Sequence, residues 1–266
     1  MNDSIANKYN IHLLGTGSKT ILFSHGYGCN QSMWRYLTPY FENTHKIVLF
    51  DLMGNGNSDS RFYNYQKYDT LKGYAEDILE IIDGLKLEPI VFVGHSVSSM
   101  IGMLAAIQRP ELFEKIIMIG PSPCYLNTGD YKGGFSEADL NELLESLDSN
   151  YLGWTSAITP VIANTPDKPE IAEELKNSFC RNNPDIAKHF AKVTFLSDNR
   201  NDLPLLRTNT LIIQTNPDLV APIWVGEYMQ KNILNSEIVV LDTPGHCPHL
   251  SAPELTVKPI LSFLDK

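Results

Sequence analysis

Short apolar runs rich in β-branched residues recur near 11–14, 20–23, 46–50, 89–93, 115–119, 210–214 and 237–241, and most are separated by stretches of helical period. In the stretch 74–85 the apolar positions Ile78, Ile81 and Ile82 fall on one helical face, and 225–233 and 256–264 show the same spacing. Alternation of this kind constrains the fold strongly. A strand that feeds a helix and then another strand packs as a right-handed crossover, so the expected class is α/β with a mostly parallel, doubly wound sheet.

Between 119 and 210 the alternation stops, and four helical patterns follow one another at 137–147, 151–162, 169–181 and 185–195. A chain of 266 residues suits one domain carrying an insertion better than two independent domains. The expected organisation is a core of 1–125 and 196–266 with a four-helix lid at 126–195. The lid holds Phe135, Trp154, Ile158, Phe179 and Phe195. Each of these suits lid core, and together they suit a roof over an apolar pocket that keeps water out.

The run Ile90-Val-Phe-Val-Gly-His-Ser-Val-Ser-Ser99 breaks at Gly94 and places Ser96 on a tight turn before the helical stretch 100–108. A serine at such a turn projects its Oγ out of the sheet while the next backbone amide, Val97, points into the same cleft. The pattern Gly-x-Ser-x-Gly is complete except at its last position, where Ser98 stands.

Two partners follow in order. Asp218 comes just after the apolar run Leu211-Ile-Ile213, and His246 follows the run 237–241 within Gly245-His-Cys-Pro-His249. Serine, then aspartate, then histidine is the chain order of the α/β-hydrolases, unlike that of chymotrypsin-like or subtilisin-like chains. All three would sit at strand ends on one sheet edge, where open α/β folds bind ligands. Read singly, Asp218 also suits a solvated turn, and His246, Cys247 and His249 also suit metal ligation. The cluster lacks a second ligand pair, so no metal site is assigned, and His249 is taken as structural or as pocket wall.

A second oxyanion donor is offered by His25-Gly-Tyr-Gly28, where glycines on both sides of Tyr27 let its amide turn toward the Val97 amide. The other glycine-rich stretch, Asp51-Leu-Met-Gly-Asn-Gly-Asn-Ser-Asp59, lacks the third glycine of a dinucleotide fingerprint and precedes no helix, so it is read as a plain turn.

A net charge of −10 disfavours nucleic acid and anionic membranes as partners. No basic-then-apolar leader opens the chain and no window is long enough to span a membrane, so a cytoplasmic location is expected. Cys29, Cys124, Cys180 and Cys247 lack metal spacing and are expected to be reduced thiols.

The segments His25-Gly-Tyr-Gly-Cys-Asn-Gln-Ser-Met-Trp34, Val93-Gly-His-Ser-Val97, Gly120-Pro-Ser-Pro-Cys-Tyr-Leu-Asn127, Asn150-Tyr-Leu-Gly-Trp154, Phe195-Leu-Ser-Asp198 and Gly245-His-Cys-Pro-His-Leu-Ser251 resemble the RsbQ family of α/β-hydrolases. That family includes a regulator of the bacillar stress response, and the plant strigolactone and karrikin receptors are its relatives. The resemblance runs over nearly the whole chain, lid included, and the plant relatives carry serine at the position of Ser98. It implies triad roles for Ser96, Asp218 and His246, and oxyanion roles for the Tyr27 and Val97 amides. The pocket wall it implies is Phe135, Trp154, Ile158, Phe195 and Val220, to which we add Tyr27 and the neighbours His95, Thr194 and Leu219.

Tyr27 replaces the family's usual phenylalanine, and Ile158 stands where the plant receptors have an aromatic residue. The activity implied is slow hydrolysis of a small apolar ester or butenolide-like lactone, coupled to stress signalling and needing no cofactor. An RsbP-type PAS-domain phosphatase is the implied protein partner. Two alternatives stand beside this reading: a receptor that uses the triad once, and a general carboxylesterase.

Overall fold

The computed structural model describes residues 3–266. Its sheet has seven strands, β1 (His12–Leu14), β2 (Lys19–Ser24), β3 (His45–Leu49), β4 (Ile90–His95), β5 (Phe113–Ile119), β6 (Asn209–Thr215) and β7 (Ser236–Leu241), in the order β1-β3-β2-β4-β5-β6-β7. Only β1 runs antiparallel to its neighbour; every other pairing is parallel. All seven runs read from the sequence are strands. The central strand β4 is buried at every position, which is why it reads as an unbroken apolar run. The edge strand β1 is three residues long and exposed throughout, a form that gives foreign strands little to pair with.

The helices are α1 (Asp3–Lys8), α2 (Leu71–Leu85), α3 (Val97–Gln108), α4 (Glu137–Ser149), α5 (Tyr151–Ala163), α6 (Pro169–Arg181), α7 (Pro184–Phe195), α8 (Ile223–Asn232), α9 (Pro248–Ser251) and α10 (Pro253–Leu264). The sequence pattern did not signal α1 or the single-turn α9, both too short to show a period. None of the described helices is long and apolar enough to cross a membrane.

Helices α4 to α7 lie consecutively between β5 and β6. Three of them begin on side-chain caps. Ser136 and Asp139 form a reciprocal capping box at α4, Asn150 accepts from the Gly153 amide at α5, and Asn183 accepts from the Asp185 and Ile186 amides at α7. Proline opens α6 and α7, where its missing N–H costs nothing.

These helices are fastened to the core by named contacts. The Asn182 amide group and the Ser178 hydroxyl both donate to the Gly28 carbonyl, at 2.9 and 3.0 Å. Gly28 has φ +71, and a Cβ there would run into the Phe179 ring, so only glycine permits this approach. Arg35 and Glu174 form a two-pronged ion pair at 2.6 and 2.7 Å.

Candidate active site

β4 ends at His95 and α3 begins at Val97, so Ser96 alone makes the turn between them. Its φ of +56 and ψ of −124 lie where a side chain is strained, and the conformation is held by the Ser96 amide donating to the Ile119 carbonyl at 2.8 Å. The Ser98 hydroxyl donates to the His25 carbonyl and accepts from the Ser24 hydroxyl at 2.8 Å. Serine in place of the pattern's last glycine therefore joins the elbow to the end of β2.

His246 Nε2 lies 2.8 Å from Ser96 Oγ, and His246 Nδ1 lies 2.7 Å from Asp218 Oδ2. A carboxylate only accepts, so Nδ1 carries the ring proton and Nε2 is free to accept from the serine hydroxyl. The second carboxylate oxygen of Asp218 takes the amides of Val220 and Ala221 at 2.8 and 3.1 Å. The three residues are 6, 5 and 4 % exposed for Ser96, Asp218 and His246, a dry setting that strengthens each of these bonds.

The loop carrying Tyr27 is held from below by His25, whose Nδ1–H donates to the Gly26 carbonyl while its Nε2 accepts from the Leu52 amide. Accepting requires an unprotonated nitrogen. Burial pushes the His25 pKa below its ordinary value, although Asp51 pulls the other way. The Tyr27 amide makes no hydrogen bond within the described residues, and the Val97 amide opens α3, where helical acceptors are missing.

Residues 19–253 match the family model for the alpha/beta hydrolase fold. The chain belongs to that family. Among relatives of this alpha/beta hydrolase, a karrikin insensitive 2 receptor of Petunia hybrida is 37% identical over 98% of this chain and 97% of its own. A strigolactone esterase of Arabidopsis thaliana is 38% identical over 94% of each chain. A solved hydrolase from Oleispira antarctica superimposes with a TM-score of 0.97, at 38% identity over 99% of this chain and 97% of its own.

In this alpha/beta hydrolase four rings gather around Tyr27, three of them (Trp154, Phe179 and Phe195) among those named from the sequence. Its ring centroid lies 6.3 Å from that of Trp154 and 6.3 Å from that of Phe195, with Phe179 and Phe190 at 5.5 and 5.6 Å. The Tyr27 hydroxyl donates to the Ala187 carbonyl of α7 at 3.0 Å. Phe135 is half-buried with its ring 6.4 Å from Tyr125, and Ile158 and Val220 are likewise half-buried. Thr194 is buried with an unpartnered hydroxyl. Ser96 has almost no solvent access.

Two of the expected wall residues sit elsewhere. His95 is buried behind the triad, with Nε2 donating to the His246 carbonyl at 2.8 Å and Nδ1 against Gly26, so it supports His246 and does not line the pocket that the sequence assigned it to. Leu219 is 56 % exposed, because the Asp218 carboxylate draws in the amides of Val220 and Ala221 and the tight turn throws the intervening side chain outward.

Sequence reasoning missed Tyr125. It lies buried in the loop after β5, its ring 5.1 Å from Phe195 and its hydroxyl close enough to Ser96 to feel it electrostatically. Burial pushes its pKa up to about 12, the serine contact working against the rise. The available signal was its position five residues past Gly120, at the end of a central strand.

Proposed function

We propose that the protein is a serine hydrolase of low turnover that cleaves a small apolar ester or lactone. The observation that carries this reading is the unbroken hydrogen-bond chain Ser96–His246–Asp218, with the serine strained at the head of α3. His246 takes the hydroxyl proton as Ser96 attacks the carbonyl carbon, and Asp218 holds the tautomer and stabilises the imidazolium. The Tyr27 and Val97 amides bind the oxyanion of the tetrahedral intermediate. His246 then gives its proton to the departing alkoxide, leaving an acyl group on Ser96 that water removes by the same route. The strigolactone esterase relative supports a butenolide-like lactone as substrate, and the closed aromatic roof supports slow entry and slow release.

The test is hydrolysis of p-nitrophenyl acetate and a butenolide panel by purified protein. Ser96→Ala is expected to lower kcat by more than about 10³-fold. Undiminished hydrolysis by that variant would remove the reading.

A second reading, a receptor that uses the triad once, draws on the likeness to a karrikin receptor. Intact-mass spectrometry separates the two, since steady turnover leaves free protein whereas a receptor keeps an adduct on Ser96 or His246. The RsbQ resemblance further supports stress-response coupling through an RsbP-type PAS-domain phosphatase, for which co-elution of the two purified proteins is the direct check.

A further inference from the structure

Behind the triad, His95, Cys247 and His249 bring three ligand atoms within 4.8 Å of one another, all three residues being buried. His95 Nε2 lies 4.0 Å from Cys247 Sγ. Among the described residues neither ring nitrogen of His249 has a hydrogen-bond partner, and His95 Nδ1 has none either. The Trp34 ring covers His249 at 4.9 Å, and its own N–H is also unpartnered. Buried polar atoms without partners are rare in folded proteins and mark places where an ion or a water belongs.

From the sequence, Cys247 and its flanking histidines lacked a further ligand. The fold supplies it from the end of β4, 152 positions from Cys247.

We infer that His95, Cys247 and His249 form a binding site for a soft monovalent metal ion, Cu(I). Thiolate and imidazole are the ligands such an ion prefers, and three of them suit its trigonal coordination. Charge decides against the commoner zinc. One thiolate neutralises Cu(I), whereas Zn(II) would leave a net positive charge in a fully buried place, and among the described residues the cluster offers no fourth protein ligand.

Metal–nitrogen and metal–sulfur bonds of about 2.0 and 2.3 Å need ligand atoms roughly 3.5 Å apart. Side-chain rotations that draw the three together by roughly an ångström therefore complete the site.

Binding is a proton exchange without redox. The Cys247 thiol loses its proton to solvent as the S–Cu bond forms, and the His95 ring proton moves from Nε2 to Nδ1 as Nε2 turns from the His246 carbonyl to the ion. Occupancy thus frees the His246 backbone from its buried support. That this slows hydrolysis rests on the proposed function; that the ion binds does not.

The experiment starts from a Cys180→Ser background, which removes the exposed thiol. Reduced protein is titrated anaerobically with Cu(I) held by a colorimetric chelator, without substrate. One retained equivalent is expected, with copper-edge X-ray absorption reporting one sulfur and two nitrogens. Cys247→Ser and, independently, His249→Gln are each expected to weaken retention by at least about 100-fold while circular dichroism shows the fold intact. The spectroscopy on the Cys180→Ser protein decides the matter should either variant fail to fold. The site is overturned by no retained equivalent, meaning that water serves the nitrogens. Undiminished retention in Cys247→Ser, two sulfurs in the shell, or preference for Zn(II) also overturns it. Copper retention with no hydrolase activity would separate this inference from the functional one.

Discussion

The Ser98 hydroxyl donates to the His25 carbonyl, so the serine turn and the loop that presents Tyr27 share a buried hydrogen bond. The Ser24 hydroxyl in turn donates to the Ser98 oxygen. Ser98→Gly would restore the usual elbow pattern, yet it strands the Ser24 hydroxyl and the His25 carbonyl. The expected cost is about 1–3 kcal/mol in urea unfolding, with kcat falling more than KM rises because the two proposed oxyanion donors lose their common brace. A variant as stable and as active as the parent would show that the brace carries nothing.

Tyr125→Phe keeps the ring that packs on Phe195 and removes only the hydroxyl that lies near Ser96. Steady-state hydrolysis is expected to fall roughly tenfold in kcat, the worth of one hydrogen bond near a developing charge. Labelling of Ser96 by a phosphonate should persist. Unchanged kcat would place Tyr125 among the packing residues.

High pH should unfold the protein cooperatively. Burial raises the pKa of Tyr27 and Tyr74 well above the ordinary 10.0, and that of Tyr125 to about 12. An unfolded chain releases these protons near pH 10 while the folded one retains them. Stability is therefore full below pH 10 and is lost as pH rises, by up to roughly 4 kcal/mol per unit for three groups. Near-ultraviolet tyrosinate absorbance should rise together with the loss of helical circular dichroism. A gradual titration with helices retained would contradict this.

The lid's fastenings should differ in strength. The Arg35–Glu174 pair has side chains 38 and 36 % exposed, so Arg35→Ala is expected to cost less than about 1 kcal/mol. Tyr27→Phe removes a buried hydrogen bond to Ala187 and is expected to cost at least as much, about 1 kcal/mol, although it deletes a single uncharged oxygen. Thermal melts of the two variants, measured side by side, give the comparison.

The sheet was legible because its strands are buried on both faces and leave continuous β-branched runs, and the four helices between β5 and β6 because their patterns follow one another without an intervening strand. Ser96, Asp218 and His246 could be placed on one edge because each follows a strand. What the sequence did not disclose depends on direction. Whether the His95 ring turns toward the ligand or toward His249, or Leu219 inward or outward, is set by hydrogen bonds to residues far along the chain or by the tightness of one turn. Tyr125 escaped for the same reason, since what brings it near Ser96 is the fold of a loop on a different strand.

The His246 amide donates to the Ile162 carbonyl in the last turn of α5, and Gly245, at φ +91, leaves no room for a Cβ against the Ala163 carbonyl. The imidazole is thus tethered to the insertion as well as to the sheet. A tug on the end of that helix reaches the proposed base through a single peptide unit, so anything that grips the outer layer also holds the reaction by its proton carrier.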